Sequence, residues 1–238
     1  MNNKVELIGW YGGDKAVART AWTSTQKDVE SATDESIRKL IVDTLWNNKT
    51  GKPHKTPFER AIVEFNITCE QASHIHLLKH RLANINGESA RYMELKEDKI
   101  YLPEDFKNIN VDRNDVFNND KELHWYLHLT DNKNPDWYSL LKQYSELGNK
   151  LYHQCLKDTQ KTLGRKRAKE SSRFFKTMNS QLTLSVMMNM SCFANFINLR
   201  NAHDSQKEIR DISSKMIELV KNIEGDPFKY TLEAFGIK

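Results

Sequence analysis

The chain has 238 residues, of which 38% are hydrophobic and 29% are charged, and its formal net charge is +4. So balanced a charge argues against a protein that coats nucleic acid, although a local basic patch remains compatible with it. The three cysteines are far apart and include no C-x-x-C pair, so we expect no disulfides and a reducing compartment. We find no signal-peptide pattern and no apolar run near the roughly 20 residues of a membrane span, so we predict a cytoplasmic protein without membrane segments.

The first third of the chain alternates between the patterns of strands and helices. A period of two between apolar residues predicts a strand, and a period near 3.6 predicts a helix. The first helical pattern opens on Asp34, a candidate for its cap. In chain order, the predicted elements are a strand at 4–10, a helix at 34–48, a proline-containing loop at 52–58, a strand at 60–70 and a helix at 71–83.

The middle of the chain is less regular. Residues 84–89 have the composition of a turn, in which Gly87 is free to take a positive φ. Residues 91–95 and 99–102 resemble short extended segments, and the polar region after them contains one helical pattern at 120–130. We predict the rest of this part to be irregular.

The last part returns to long helical patterns. They predict helices at 135–163, 164–175, 192–200 and 204–222, with a strand at 180–188. Strands and helices are mixed without a regular βαβ rhythm, which favours an α+β fold. We therefore predict a single domain over residues 1–238, in which helices flank an antiparallel sheet.

Residues 74–92 concentrate more kinds of functional group than any other run of the chain. His76 and His80 are four positions apart, the spacing of a helical metal pair, but no H-E-x-x-H glutamate accompanies them, so we predict no metal site. The alternative is a half-buried helix whose terminal cations complement the helix dipole. Ser89 and Arg91 follow the glycine-containing turn, and a hydroxyl beside a guanidinium suits an anion such as a phosphate.

Three blocks in a fixed order resemble the motifs of the flavin-dependent thymidylate synthases. The triplet KHR at 79–81, followed after seven residues by Ser89, is similar to the signature R-H-R-x7-S. The earlier HKTPFE at 54–59 looks like H-x-T-P-F-E, and the later NFINLR…SQKEIR at 195–210 looks like N-F-x-x-L-R…A-Q-x-E-I-R. The resemblance spans most of residues 20–235, and on it the chain is identified as a divergent member of that family.

This resemblance implies an enzyme of nucleotide synthesis. The family makes dTMP from dUMP with FAD as its flavin, NADPH as reductant and methylene-tetrahydrofolate as one-carbon donor. It works as a homotetramer whose active sites are shared between subunits, and no cysteine attacks the uracil ring. None of the cysteines of this chain lies in a nucleophile setting, which agrees with that chemistry. Because the cofactors carry the reaction, the protein must bind, orient and polarise.

The resemblance also assigns roles to residues by their place in the motifs. Arg200 would contact the uracil edge and stabilise negative charge that develops on the ring, and Arg173 would reach the nucleotide from a neighbouring subunit. The implied catalytic residues are Arg200 and His54, and the implied nucleotide-binding residues are His76, Ser89, Arg91, Arg173 and Arg200. The implied flavin-binding residues are Ser24, His54, Thr56, Glu59, Lys79, His80, Arg81, Asn86, Asn189 and Asn195.

Five positions depart from the family pattern and keep other functions open. They are His76 in place of glutamine, Lys79 in place of arginine, Gly87 in place of glutamate or glutamine, Ser191 in place of arginine and Asp204 in place of histidine. Capture of the one-carbon unit by water would give a hydroxymethylated dUMP or dCMP, as in a phage with modified DNA, and the enzyme would then work in the host cytoplasm. From another class, the basic segment 164–173 suits a nucleic-acid-binding protein. We place thymidylate synthesis ahead of both.

Overall fold

The computed structural model describes residues 2–112 and 135–237, so the helix predicted at 120–130 lies outside the described residues. The chain forms two compact units. The first, the sheet unit, comprises Asn3–Cys69, Ser73–Gly87 and Thr183–Lys238. The second, the helical unit, comprises Glu88–Leu182 together with Met1–Asn2 and Glu70–Ala72.

A four-stranded sheet gives the sheet unit its name. Its strands are β1 (Lys4–Tyr11), β2 (Ile62–Glu70), β3 (Asn84–Gly87) and β4 (Gln181–Asn189), in the spatial order β1-β2-β4-β3. β1 pairs with β2 antiparallel, and so does β3 with β4. The predicted α+β class with antiparallel pairing is confirmed.

Helices make up most of the remaining regular structure. In chain order they are α1 (Gly13–Trp22), α2 (Asp34–Arg38), α3 (Gln71–Leu78), α4 (Trp137–Leu163), α5 (Arg165–Ser172), α6 (Met190–Arg200), α7 (Lys207–Lys221) and α8 (Lys229–Ala234). A π-helix, Lys39–Trp46, continues α2, and short 3₁₀ helices span Thr23–Thr25, Thr56–Arg60, Glu104–Phe106 and Arg173–Phe175. Over the two described ranges, no helix combines the length and apolar character that a bilayer span requires.

Alternation along the strands decides which face of the sheet is buried. Every second side chain of β2 and of β4 is fully buried, because successive residues of a strand point to opposite faces. These residues are Val63, Phe65, Ile67, Leu184, Val186 and Met188. Helix α6 covers the buried face, where the ring of Phe193 stacks on Phe65 with 6.2 Å between centroids. Each such side chain contributes about 1.5–3 kcal/mol on burial, which fixes the register of the strands.

The helical unit has a smaller core between α4 and α5. Tyr152, Leu156 and Ala168 are buried together, and the hydroxyl of Tyr152 accepts a hydrogen bond from the N–H of Leu95 at 3.0 Å. Asp136 caps α4, because its carboxylate accepts from the N–H of Ser139 at 2.8 Å. The helices predicted at 135–163 and 164–175 are confirmed, the second ending in a 3₁₀ turn.

A buried carboxylate ties α8 to α1. Oδ1 of Asp14 accepts from the N–H of Thr231 at 2.9 Å and from its hydroxyl at 2.7 Å, and Oδ2 accepts from the N–H of Tyr230 at 2.7 Å. Tyr230 and Thr231 lie in the first turn of α8, whose N–H groups have no partner within the helix. Burial raises the pKa of Asp14 to about 6 against the opposing effect of these three donors.

The turn predicted at 84–89 is wrong in its first four residues, which form β3. Gly87 does not adopt a positive φ. A Cβ at this position would lie 2.6 Å from Cδ2 of the buried Leu184 on β4, so any larger residue would require the Leu184 side chain to move. The segments at 91–95 and 99–102 form no strand and make one isolated bridge, Ile100 to Ser180.

The cap predicted for the helix at 34–48 is also wrong. Thr33 caps α2, since its hydroxyl accepts from the N–H of Ser36 at 3.3 Å, whereas Asp34 is already the first helical residue. Helical structure does continue to Trp46 as predicted, but its last eight residues are π-helical. The helix predicted at 71–83 ends at Leu78.

Candidate active site

The segments that follow α3 and end α6 meet in a contact between a histidine and an arginine. His80 lies two residues beyond α3, and Arg200 is the last residue of α6. The Nε–H of Arg200 donates to Nε2 of His80 over 3.1 Å. Because a guanidinium only donates, Nε2 must be unprotonated, and the proton of the neutral imidazole lies on Nδ1. The contact brings the KHR signature and the NFINLR block together in space.

His80 is a buried, neutral imidazole. It is 5% exposed, and its ring meets Phe196 edge-on with 4.9 Å between centroids. Burial, and then the nearby Arg200 and His76, lower the pKa of His80 to about 4. Nδ1 is buried as well, and no group of the described residues accepts its hydrogen. An unpaired interior N–H costs about 1–3 kcal/mol, so this donor suits an acceptor on a ligand.

His76 lies one helical turn before His80 and contacts the segment that enters α7. Its Nε2 is 3.2 Å from Oε1 of Gln206, and Nε2 of Gln206 donates to Oε2 of Glu208 over 2.8 Å. Gln206 precedes α7 and Glu208 lies in its first turn. His76, His80 and Arg200 are all in the sheet unit, and we call them the histidine–arginine cluster.

The other implied flavin-binding residues are mostly exposed and lie in the sheet unit. Asn189 caps α6, because its Oδ1 accepts from the N–H of Cys192 at 2.8 Å. The loop before the 3₁₀ helix Thr56–Arg60 is held by a bond from the backbone N–H of His54 to the carbonyl of Leu45 at 2.8 Å. The exposed members of the set are Ser24, His54, Thr56, Glu59, Lys79, Arg81, Asn86 and Asn195.

Three implied nucleotide-binding residues lie in the helical unit. The hydroxyl of Ser89 is 3.4 Å from the N–H of Arg91, which donates to it. Nε of Arg91 donates to Oε1 of Glu170 on α5 over 2.8 Å. This hydrogen bond raises the pKa of Arg91 and lowers the pKa of Glu170. Arg173 is exposed and follows Glu170 by three residues. The structure thus joins Ser89 and Arg91 to Glu170 on α5, whose carboxylate already pairs with the guanidinium.

The basic segment 164–173 folds as α5 and the start of a 3₁₀ helix. Lys169 is 8% exposed, and its Nζ donates to the carbonyl oxygen of Tyr92 over 2.7 Å. Arg167 lies 3.5 Å from Glu170. Two of the cations therefore make contacts within the protein, which favours a structural role over a nucleic-acid-binding surface.

His76 and His80, the two histidines with the spacing of a metal pair, each use Nε2 in a hydrogen bond within the protein. Nε2 of His80 accepts from Arg200, and Nε2 of His76 faces Gln206. In residues 2–112 and 135–237, no group of three His, Cys, Asp or Glu side chains is placed to hold a metal ion.

Two of the five departures from the family pattern have a structural explanation. His76 is held by Gln206, and Gly87 permits the approach of β3 to Leu184. Nothing in the structure explains the departures at Lys79, Ser191 and Asp204.

Sequence reasoning missed the partners of the site residues. Gln206 and Glu208 belong to the SQKEIR block, and this place in a motif was a signal that they contribute to the site. Glu170, which holds Arg91, stands in a charged helix and carries no such signal.

Comparison with known proteins supports the resemblance. The family model "Thymidylate synthase complementing protein" matches residues 6–224. The flavin-dependent thymidylate synthase of Thermosipho africanus is 26% identical over 234 residues, which cover 97% of this chain and 90% of the relative. That of Thermococcus onnurineus is 26% identical over 233 residues, which cover 94% of this chain and 81% of the relative.

A solved structure shares the fold. The UMP/dUMP methylase PolB from Streptomyces cacaoi, bound with 5-Br dUMP, superposes with a TM-score of 0.73 at 21% identity, over 99% of this chain and 95% of that one. Because the family model spans all three motif blocks and nearly the whole sequence, the chain belongs to the thymidylate synthase complementing protein family.

Proposed function

We propose that this protein is a flavin-dependent thymidylate synthase, which methylates C5 of dUMP to give dTMP. The observation that carries the proposal is the Arg200–His80 hydrogen bond, because it unites two motif blocks that are 120 positions apart. The curated relatives carry the name of that enzyme, and the structural neighbour is named a UMP/dUMP methylase.

The residues present fit a flavin. A buried donor on Nδ1 of His80 needs an acceptor, and the ring nitrogens and carbonyl oxygens of a flavin are acceptors. FAD, when bound, supplies the reducing equivalents of the reaction. The residues that we propose to hold it are Ser24, His54, Thr56, Glu59, Lys79, His80, Arg81, Asn86, Asn189 and Asn195.

The cations of the site fit an anionic nucleotide. Arg200 is half-buried, and its bond to His80 uses one of the five N–H donors of a guanidinium. We assign the remaining donors to the uracil edge, where they stabilise negative charge that develops on the ring. Ser89, Arg91 and Arg173 would bind the phosphate, through a hydroxyl and two guanidinium groups.

The remaining partners follow from the same proposal. NADPH is the reductant and methylene-tetrahydrofolate is the one-carbon donor, with His54 beside the flavin and the folate. The enzyme is a homotetramer with shared active sites. Helix α4 carries an exposed apolar stripe of Tyr144, Leu147 and Leu151, each at least 43% exposed, which suits contact with a second copy of the chain.

The test is to incubate the protein with FAD, NADPH, methylene-tetrahydrofolate and dUMP, and to weigh the nucleotide product by mass spectrometry. We expect dUMP that has gained one methyl group. A hydroxymethylated product would show instead that water captures the one-carbon intermediate, and the proposed methylation would then be wrong. Unchanged dUMP, with FAD demonstrably bound, would overturn the proposal, and dCMP would be the next substrate.

A further inference from the structure

Three side chains from two distant parts of the chain form a hydrogen-bonded series. Nε2 of His76 lies 3.2 Å from Oε1 of Gln206, which is 130 positions later, and Nε2 of Gln206 donates to Oε2 of Glu208 over 2.8 Å. His76 is on α3, whereas Gln206 and Glu208 are at the start of α7. The series therefore links these two helices of the sheet unit beside Arg200 and His80.

Chemistry fixes the direction of this series. An ionised carboxylate accepts hydrogen bonds and cannot donate them, so the NH₂ end of Gln206 faces Glu208 and its carbonyl end faces His76. A carbonyl oxygen also only accepts, so the proton of the His76 ring must lie on Nε2. In the neutral ring, Nδ1 is then left as an acceptor.

We propose that Gln206 and Glu208 are positioning residues that hold His76 in this tautomer, so that Nδ1 accepts the N3–H of the uracil ring. The inference rests on the proposed function, because it takes dUMP as the substrate. N3 of uracil carries a hydrogen, whereas N3 of cytosine carries a lone pair. A fixed acceptor at position 76 therefore favours uracil and opposes cytosine.

This role also explains why histidine differs from the family glutamine at this position. A glutamine amide can rotate to present either its carbonyl or its NH₂, so it needs no partner to choose between them. A histidine exchanges donor for acceptor only by moving a proton, and a neighbour can decide where that proton lies. Recognition of uracil at position 76 should consequently depend on Gln206 when residue 76 is histidine. It should no longer depend on Gln206 when residue 76 is glutamine.

A double-mutant cycle tests the inference on the FAD-loaded enzyme. We expect Gln206→Leu to lower kcat/KM for dUMP about tenfold, chiefly through KM, and to reduce the preference for dUMP over dCMP. In the His76→Gln background the same Gln206→Leu change should have almost no effect on either quantity. Glu208→Gln should act like a weaker Gln206→Leu, since an amide at position 208 no longer dictates the orientation of Gln206.

The matched control is Ser214→Ala, which breaks another hydrogen bond of α7, from Ser214 Oγ to Asn201 Oδ1 at 2.9 Å. It should leave the ratio of dUMP to dCMP turnover unchanged. Equal effects of Gln206→Leu with histidine and with glutamine at position 76 would overturn the positioning role and leave the proposed function intact. A wild-type enzyme that binds FAD but does not methylate dUMP would overturn both.

Discussion

Arg200 and His80 are joined by one hydrogen bond, from Nε of the guanidinium to Nε2 of the imidazole, 3.1 Å apart. The two residues are assigned to different partners, uracil and flavin, so a change at Arg200 should separate the two functions. We expect Arg200→Ala to lower turnover of dUMP by about 10²–10³-fold, the usual cost of one lost donor at a developing charge. Steady-state rates give the turnover, and the visible absorbance of the purified protein gives the bound FAD.

The control for that prediction is Arg200→Lys, which keeps the charge but not the planar fork of donors. It should recover part of the lost rate. An Arg200→Ala protein that loses its FAD, or one that keeps wild-type turnover, would show that Arg200 does not act on the substrate.

The buried state of His80 predicts a pH dependence of stability. Its pKa is about 4 in the folded protein and about 6.5 when unfolded, so between these values only the unfolded chain binds the proton. The contribution of His80 to the free energy of unfolding is full above pH 6.5 and falls as the pH drops towards 4. Denaturant unfolding of wild type and His80→Phe across this range measures it.

Asp14 changes the free energy of unfolding in the opposite direction over the same pH range. The pH dependence of wild-type stability alone therefore does not isolate the effect of His80. Its pKa is raised from 3.8 to about 6, so the folded form binds the extra proton and stability falls as the pH rises through this interval. The quantity to follow is therefore the difference between wild type and His80→Phe. A difference that stays constant from pH 7 to pH 4 would contradict a neutral, buried His80.

Arg91 provides a test of the phosphate site. We expect Arg91→Ala to raise the KM for dUMP about 10- to 100-fold with little change in kcat, because a lost phosphate contact weakens binding of substrate and transition state alike. Deoxyuridine lacks the phosphate, so its poorer turnover should be the same in both proteins. Arg167→Ala is the matched control, since Arg167 also approaches Glu170 but has no assigned ligand.

Asp14→Asn should destabilise the fold without touching the chemistry. The amide places an NH₂ group against the N–H of Tyr230 or of Thr231, and one buried donor of α8 loses its acceptor. We expect a loss of about 2–3 kcal/mol in the free energy of unfolding. Asp28→Asn changes an exposed carboxylate that accepts from the N–H of Glu30 at 3.1 Å, and it should cost less than about 0.5 kcal/mol. Similar losses in the two variants would refute the special role of Asp14.

The spacing of apolar residues predicted those strands and helices in which buried side chains recur at the period of the element. β2 and β4 were visible because alternate residues are fully buried, and α7 because Ile209, Ile212 and Met216 lie on one face. β3 was missed because it is only four residues long, with Ile85 as its one apolar side chain of any size, and because it exists by pairing with β4. α1 was missed because it opens at Gly12 without a side-chain cap.

The sequence predicted those site residues that lie in recognisable motifs. Blocks of sequence named His80 and Arg200, but no local pattern says that two residues 120 positions apart share a hydrogen bond. The same limit applies to His76 and Gln206. Tertiary structure sets such contacts, and with them the tautomers of both histidines.

Strand β3 gives the seven-residue gap of the signature a physical meaning. Four of the seven residues, Asn84–Gly87, are bound residue by residue to β4, with Asn84 opposite Met187 and Gly87 opposite Leu184. Inserting one residue between Arg81 and Asn86 would turn Asn86 to the other side of the sheet. The pairing of β3 with β4 therefore fixes the length of the gap. Searches for remote relatives should keep its length fixed.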